Sequence, residues 1–225
     1  MSLKYRKSNK KYENNVNKES SDMKENNNVL DVIFALDERY TRACSVCAQA
    51  DSPLGYLRPL MKILEISCHG IPWLLGSLAL LLSVHRTEHI EILVNLLTAL
   101  ILDLIIIAIV KLLFRRQRPV HNQMDMFATV SIDNYSFPSG HASRAAMLVC
   151  FFLFHVIDNA YHRILVISWS LVVSSSRVLL GRHHILDVTC GFALGIFEYL
   201  LVYNIWIPKN KCVDLLDPYM QYFHL

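Results

Sequence analysis

The 225-residue sequence predicts an all-α protein, a polytopic bundle of membrane helices with about five spans and an interfacial helix ahead of them. Three observations carry this. Hydrophobic residues make up 53% of the chain and charged residues only 18%, whereas a soluble domain carries charge on about a quarter of its residues. The mean hydropathy is +0.32. The apolar residues also fall in blocks with almost no polar face between them, which argues against a soluble helical core.

Each element follows from its local pattern. Residues 1–29 are rich in Lys and Asn with hardly any apolar anchor, and read as a disordered polar tail. Residues 30–56 begin with apolar positions at helical spacing (Leu30, Ile33, Phe34, Leu36) interrupted by charges, the pattern of a helix lying on a membrane surface. The DSPLGY turn closes this segment with Pro and Gly as breakers. The membrane domain runs over 57–207, with spans expected near 66–85, 90–114, 142–158, 163–181 and 185–207. The block from Ile90 to Phe114 is the clearest, long enough to cross a hydrocarbon core of about 30 Å, and the blocks at 163–181 and 185–207 qualify nearly as well. Residues 208–225 form a C-terminal tail. The polar first thirty residues resemble no signal peptide, so the first span is expected to serve as its own insertion signal.

The net charge of +3 is too small to argue for nucleic acid as a partner. Of the six cysteines, Cys44 and Cys47 form a CxxC without a second pair at zinc-ribbon spacing, and Cys150 and Cys190 lie in spans as small packing residues. Neither a metal nor a cofactor is expected. Counting spans puts the 115–141 loop and the short GRHH interruption on one face of the membrane. The HRTEH (85–89) and DNAYHR (158–163) turns lie on the other. The Lys-rich tail shares the face of the 115–141 loop, and the positive-inside rule then turns that face to the cytosol. Asn134-Tyr135-Ser136 is a formal glycosylation sequon, discounted because a glycan there would crowd Ser139.

Three polar clusters converge on that face. In the first, KLLFRRQRP, Arg118 follows Lys111 by seven helical positions, which places both on one side about 10 Å apart. Pro119 ends the helix at Arg118. In the second, Pro138 to His141 (PSGH), Ser139 can cap a helix and Gly140 lets the backbone approach an anion. The third is Ser176-Arg177, five residues, His183, three residues, Asp187. His183 and Asp187 stand at i and i+4, able to meet on one helical face. An aspartate on one ring nitrogen leaves the other free to attack. His184 has no carboxylate at that spacing and reads as a bystander. Asp103 and Glu198, acids within spans, read as bundle hydrogen-bond partners.

Together these read KxxxxxxRP, PSGH and SRxxxxxHxxxD, in order and each at a span end. The chain thereby resembles the type 2 phosphatidic acid phosphatase superfamily of membrane lipid phosphatases over residues 57–207. The stretches RPLMKILEISCHGIPWLLG, RRQRPVHNQMDMF and YSFPSGHASRAA look more narrowly like its polyisoprenoid diphosphate phosphatase branch. The resemblance implies an integral membrane enzyme hydrolysing farnesyl, geranylgeranyl or presqualene diphosphate, with phosphatidate or lysophosphatidate as the alternative substrate and a non-catalytic membrane scaffold as the alternative role. It implies His183 as nucleophile through a phosphohistidine, Asp187 orienting it, and His141 as general acid and then base. Lys111, Arg118, Arg177, Ser139 and Gly140 would bind the phosphoryl oxygens, with no metal. It further implies residence in the endoplasmic reticulum and nuclear envelope.

Overall fold

The computed structural model describes residues 29–83, 87–120, 122, 123, 125 and 134–223, all of them helix or loop. The chain divides into two compact units, residues 1–39 and 40–225. In the first unit, helix α1 (Val29–Cys44) begins, exposing Leu30, Ile33, Phe34 and Leu36. Residues 1–28 of the expected tail lie outside the described residues.

The second unit carries α2 (Arg58–Ser67), α3 (Gly70–Ser83), α4 (Thr87–Phe114), α5 (Gly140–His155), α6 (Ala160–Leu179), α7 (Ile185–Asn204) and α8 (Lys209–Phe223). Among the described residues, Glu88–Phe114 and Ile185–Asn204 are long and apolar enough to cross a membrane. The segments Gly55–Ser67 and Gly70–Ser83 pass the same test only together, as a pair bent by 43°. The expected first span therefore falls on two helices and not on one. Helices α5 and α6 fill the places of the third and fourth spans, and α5 is the central helix. Its Ala142 to Val149 and Phe151 are all buried, so neighbouring helices shield Ser143 and Arg144 and it needs no wholly apolar surface. On α6 the polarity is inverted: Ser170, Ser174, Ser176 and Arg177 are buried, whereas Ile164, Leu165 and Leu171 are exposed. Exposed large apolar side chains also run along α4 at Ile101, Leu104, Ile105 and Ile109. Such a girdle suits lipid rather than water.

Close approach of α5 to α7 rests on two glycines four residues apart. A Cβ at Gly191 or at Gly195 would strike the backbone carbonyl of Ser139 or of Ser143, the small-xxx-small packing of membrane helices. The Ser139 N–H donates to the Asp187 carbonyl at 3.0 Å, locking the two helix starts together. Inside the bundle, Asp103 accepts from Arg144 Nη2 at 2.6 Å, and Glu198 accepts from Ser143 Oγ at 2.8 Å. The segment read as a C-terminal tail is mostly the helix α8. Its buried Cys212 packs on Ile90 and Val94 of α4, because Cys212, Val213, Leu215 and Leu216 supply an apolar side among the charges.

Candidate active site

Helix α6 ends at Gly181, which adopts φ 65. The Gly181 N–H donates to the Val178 carbonyl at 2.8 Å and the Arg182 N–H to the Arg177 carbonyl at 2.9 Å, the paired bonds of a Schellman stop. This turn carries Arg182 and His183 back over the end of α6 before α7 starts at Ile185. His183 is thus in the connection, off the helix, and it meets Asp187 at i, i+4 only at ion-pair range, without a hydrogen bond. Its Nδ1 stands 4.0 Å from Asp187 Oδ2.

The partner of His183 is instead a backbone carbonyl. His183 Nδ1 lies 2.7 Å from the Ser136 oxygen. A carbonyl can only accept, so Nδ1 carries the proton and Nε2 keeps its lone pair. Nε2 lies 3.5 Å from Arg118 Nη1. Asp187 acts one step behind: it accepts from the Ser136 hydroxyl, from Arg116 Nη1 at 2.6 Å and from the His184 N–H at 2.8 Å. Ser136 therefore links the carboxylate to the imidazole. His184, read as a bystander, caps α7 with its Nδ1 3.0 Å from Asp187 Oδ2. Nothing in the spacing marks that contact, since capping depends on where the helix begins.

A cavity of about 180 Å³ joins Lys111, Arg118, Gly140, His141, Arg177 and His183. Arg118 arrives by a route unlike the expected one. Helix α4 stops at Phe114, and Arg115 at φ 47 turns the chain out while its Nε donates to the Leu112 carbonyl at 2.9 Å. Arg118 then folds back from the extended loop, and its Nη1 donates to the Arg182 carbonyl at 2.9 Å. The PSG turn places Ser139 at the N-cap of α5 without a capping bond from its side chain. Its buried Oγ has no hydrogen-bond partner among the described residues, nor do Nε and Nη2 of the wholly buried Arg177, whose Nη1 stands 3.2 Å from Glu65 Oε2. Unused donors beside the free first-turn amides of α5 make a site for a tetrahedral oxyanion. Among the described residues no three His, Cys, Asp or Glu side chains stand together in a metal-holding cluster.

A profile of the PAP2 superfamily matches residues 92–211. The chain is 37% identical over 194 residues to a probable lipid phosphate phosphatase beta of Arabidopsis thaliana, covering 75% of this chain and 87% of that one. The chain belongs to the PAP2 superfamily.

Two crystal structures share its fold. That of a transmembrane PAP2-type phosphatidylglycerolphosphate phosphatase from Bacillus subtilis superposes with a TM-score of 0.56 at 22% identity, covering 80% of this chain and 87% of that one. That of Aquifex aeolicus LpxE gives 0.54 at 18%, covering 74% and 93%. As a PAP2 member the protein is a membrane-embedded, metal-independent phosphoric ester hydrolase.

Several site residues escape the three PAP2 motifs, Glu65 and Arg116 among them. Glu65, on α2, is buried against the site, with Oε2 3.2 Å from Arg177 Nη1 and 3.3 Å from Arg182 Nη2. Its backbone carbonyl lies 3.1 Å from His141 Nε2. The break between α2 and α3 leaves carbonyls without helical partners, and the site supplies them: His141 at Glu65, Arg144 Nη1 at Cys68 and Trp73 Nε1 at Ser67. Irregular backbone at membrane depth persists only where protein satisfies it in this way. Arg116, a position inside KLLFRRQRP to which the motif assigns no role, is the cation on Asp187.

Burial, then the charges of Arg118, Arg177 and Lys111, hold the His183 imidazole well below the usual 6.5. The ring therefore stays neutral as the pH falls through 6.5. In kcat/KM pH profiles we expect an acid limb centred below the free-histidine range, moving back up in Arg118→Gln. A wild-type limb at 6.5 that Arg118→Gln does not move would contradict this. The same sign applies to stability: unfolded His183 takes up a proton near 6.5 and the folded one does not, so its contribution disfavours the fold as pH drops below 6.5.

Proposed function

We propose that this PAP2 enzyme hydrolyses isoprenoid diphosphates such as farnesyl, geranylgeranyl and presqualene diphosphate through a phosphohistidine on His183. The observation that carries the mechanism is the unprotonated Nε2 of His183, facing Arg118 Nη1 at 3.5 Å while the Ser136 carbonyl braces Nδ1, in a cavity that also holds Lys111 and Arg177. Nε2 attacks the terminal phosphorus while the three cations, Ser139 Oγ and the Gly140 amide hold its oxygens. The electron pair of the breaking P–O bond leaves with the lipid phosphate. His141 protonates the leaving oxygen, then takes a proton from the water that cleaves the N–P bond. Asp187 works through Ser136, fixing the loop that presents its carbonyl to His183.

The isoprenoid reading is supported by where the branch-like stretches fall. RPLMKILEISCHGIPWLLG supplies Glu65 and His69, RRQRPVHNQMDMF supplies Arg116 and Arg118, and YSFPSGHASRAA supplies Ser136, His141 and Arg144. Glu65, His69, Arg118, His141 and Arg144 all line the cavity. Phosphatidate is the second reading, favoured by the likeness to a plant lipid phosphate phosphatase. We place the enzyme in the endoplasmic reticulum and nuclear envelope with its site toward the cytosol. The Ser136 hydroxyl of the Asn134 sequon supports that orientation, since it is buried on Asp187.

The deciding assay offers farnesyl diphosphate, presqualene diphosphate and phosphatidate to the purified enzyme in excess EDTA. Full turnover in EDTA is expected, with the diphosphates preferred by about tenfold or more in kcat/KM. Loss of activity that magnesium or zinc restores would sink the mechanism, and a preference for phosphatidate would sink the substrate assignment.

A further inference from the structure

Arg144 belongs to none of the three PAP2 motifs, yet it lines the same cavity as His183. It lies three residues after His141 on α5, so both face one way. Its guanidinium is only 5% exposed and is fixed at two points, Nη2 on Asp103 at 2.6 Å and Nη1 on the Cys68 carbonyl at 3.2 Å. Nε has no hydrogen-bond partner among the described residues. The first turn of α3 makes room for it: a Cβ at Gly70 would stand 3.1 Å from Arg144 Cζ. Such a guanidinium is held rigid by the bundle with donors still available.

Depth along α4 assigns its role. Asp103, which holds Arg144, precedes Lys111 by eight residues, about 12 Å along the helix. Lys111 lies toward the loop face with Arg118 and His183, and Arg144 lies on the bilayer side of them. A lipid diphosphate enters with its tail in the membrane, so the phosphate bonded to the tail sits on the bilayer side of the terminal one. Its charge is about −3 near neutral pH, from a terminal phosphate of −1.5 to −2 and one more on the inner phosphate. The pocket answers with Lys111, Arg118, Arg177 and Arg144, set against the lining carboxylate of Glu65 and that of Asp103, which pairs with Arg144 from behind.

We propose that Arg144 is a specificity-determining residue, the cation of an inner-phosphate subsite that selects diphosphate over monophosphate lipids. This rests on the phosphohistidine reading above. Nε2 of His183 bonds the terminal phosphorus, the bond from that phosphorus to the bridging oxygen breaks, and its electron pair departs on the lipid monophosphate. Arg144 stabilises the charge gathering there. Water then cleaves the N–P bond and releases inorganic phosphate. A monophosphate substrate places no phosphate at Arg144 and gains nothing from it.

The test uses the Arg144→Gln/Asp103→Asn double variant, which removes both charges together, and Arg144→Lys, which keeps the charge without the fork. Competitive inhibition by inorganic diphosphate and by inorganic phosphate is measured against whichever lipid phosphate the enzyme turns over. The inhibition constant for diphosphate is expected to rise about 10- to 100-fold in the double variant, as for loss of a charged hydrogen bond, and that for phosphate by far less. The kcat/KM for farnesyl diphosphate should fall by a similar factor, and that for farnesyl monophosphate much less. Arg144→Lys should fall between and covers failure of the double variant to fold. Equal losses for both lipids, or an unmoved diphosphate constant in a folded variant, overturn the subsite. Should the wild type ignore farnesyl diphosphate, the isoprenoid assignment fails by itself, and the ratio of the two inhibition constants still decides Arg144.

Discussion

Replacing His183 with alanine is expected to lower kcat/KM by about 10⁴-fold or more and to abolish any acid-labile phosphoenzyme, because no other lone pair replaces Nε2. His141→Ala should behave differently with a diphosphate substrate. A phosphate leaving group needs less protonation than an alkoxide, so slow formation of phosphoenzyme should survive in that variant. His184→Ala gives the finer contrast. Its ring braces Asp187 at 3.0 Å and never meets the cavity, so a loss of about 10- to 100-fold is expected, as for residues that orient a reacting group. Rapid-quench trapping of labelled enzyme separates the three. Phosphoenzyme in His183→Ala at wild-type levels, or a His184→Ala loss as deep as that of His183→Ala, would reverse the roles assigned to the adjacent histidines.

Arg177→Ala should cost about 10³-fold in kcat/KM, the upper end for one preorganised oxyanion donor. It also leaves Glu65 with one fewer buried counter-ion. Breaking a buried pair destabilises by about 3–5 kcal/mol, so thermal unfolding in detergent must accompany the kinetics. Arg177→Lys keeps the charge and the fold but not the planar fork, and should lose about 10²-fold. Glu65→Gln should act in the opposite electrostatic sense, leaving Arg177 and Arg182 without their shared carboxylate. We expect tighter inhibition by inorganic phosphate together with slower turnover, because the guanidinium is no longer aimed. Glu65→Gln with kcat and phosphate inhibition both unchanged would remove Glu65 from the site.

The helical class and the membrane setting were legible in the sequence, as was the gathering of several polar residues at one end of the bundle. Apolar blocks of spanning length and motifs at their ends are local signals, and they brought Lys111, Arg118, Ser139, His141, Arg177 and His183 to one face by counting spans. The tertiary structure decided how those residues are held. The brace on His183 is the backbone carbonyl of Ser136, and every residue type carries such a carbonyl, so no sequence pattern can announce it. The Schellman turn at Gly181 moved His183 off the helix and broke the i, i+4 geometry that assumes one. Glu65 reaches Arg177 and Arg182 across more than a hundred residues, because the first span breaks at Cys68 and the carbonyls of that break must be satisfied inside the bundle. The motif singles out Arg118 in RRQRP and is silent on Arg116, and beyond the left-handed turn at Arg115 one goes to Asp187 and the other toward His183. Residue identity follows from local chemistry, whereas partnership follows from where helices end, and helix ends are set by packing between segments distant in the chain.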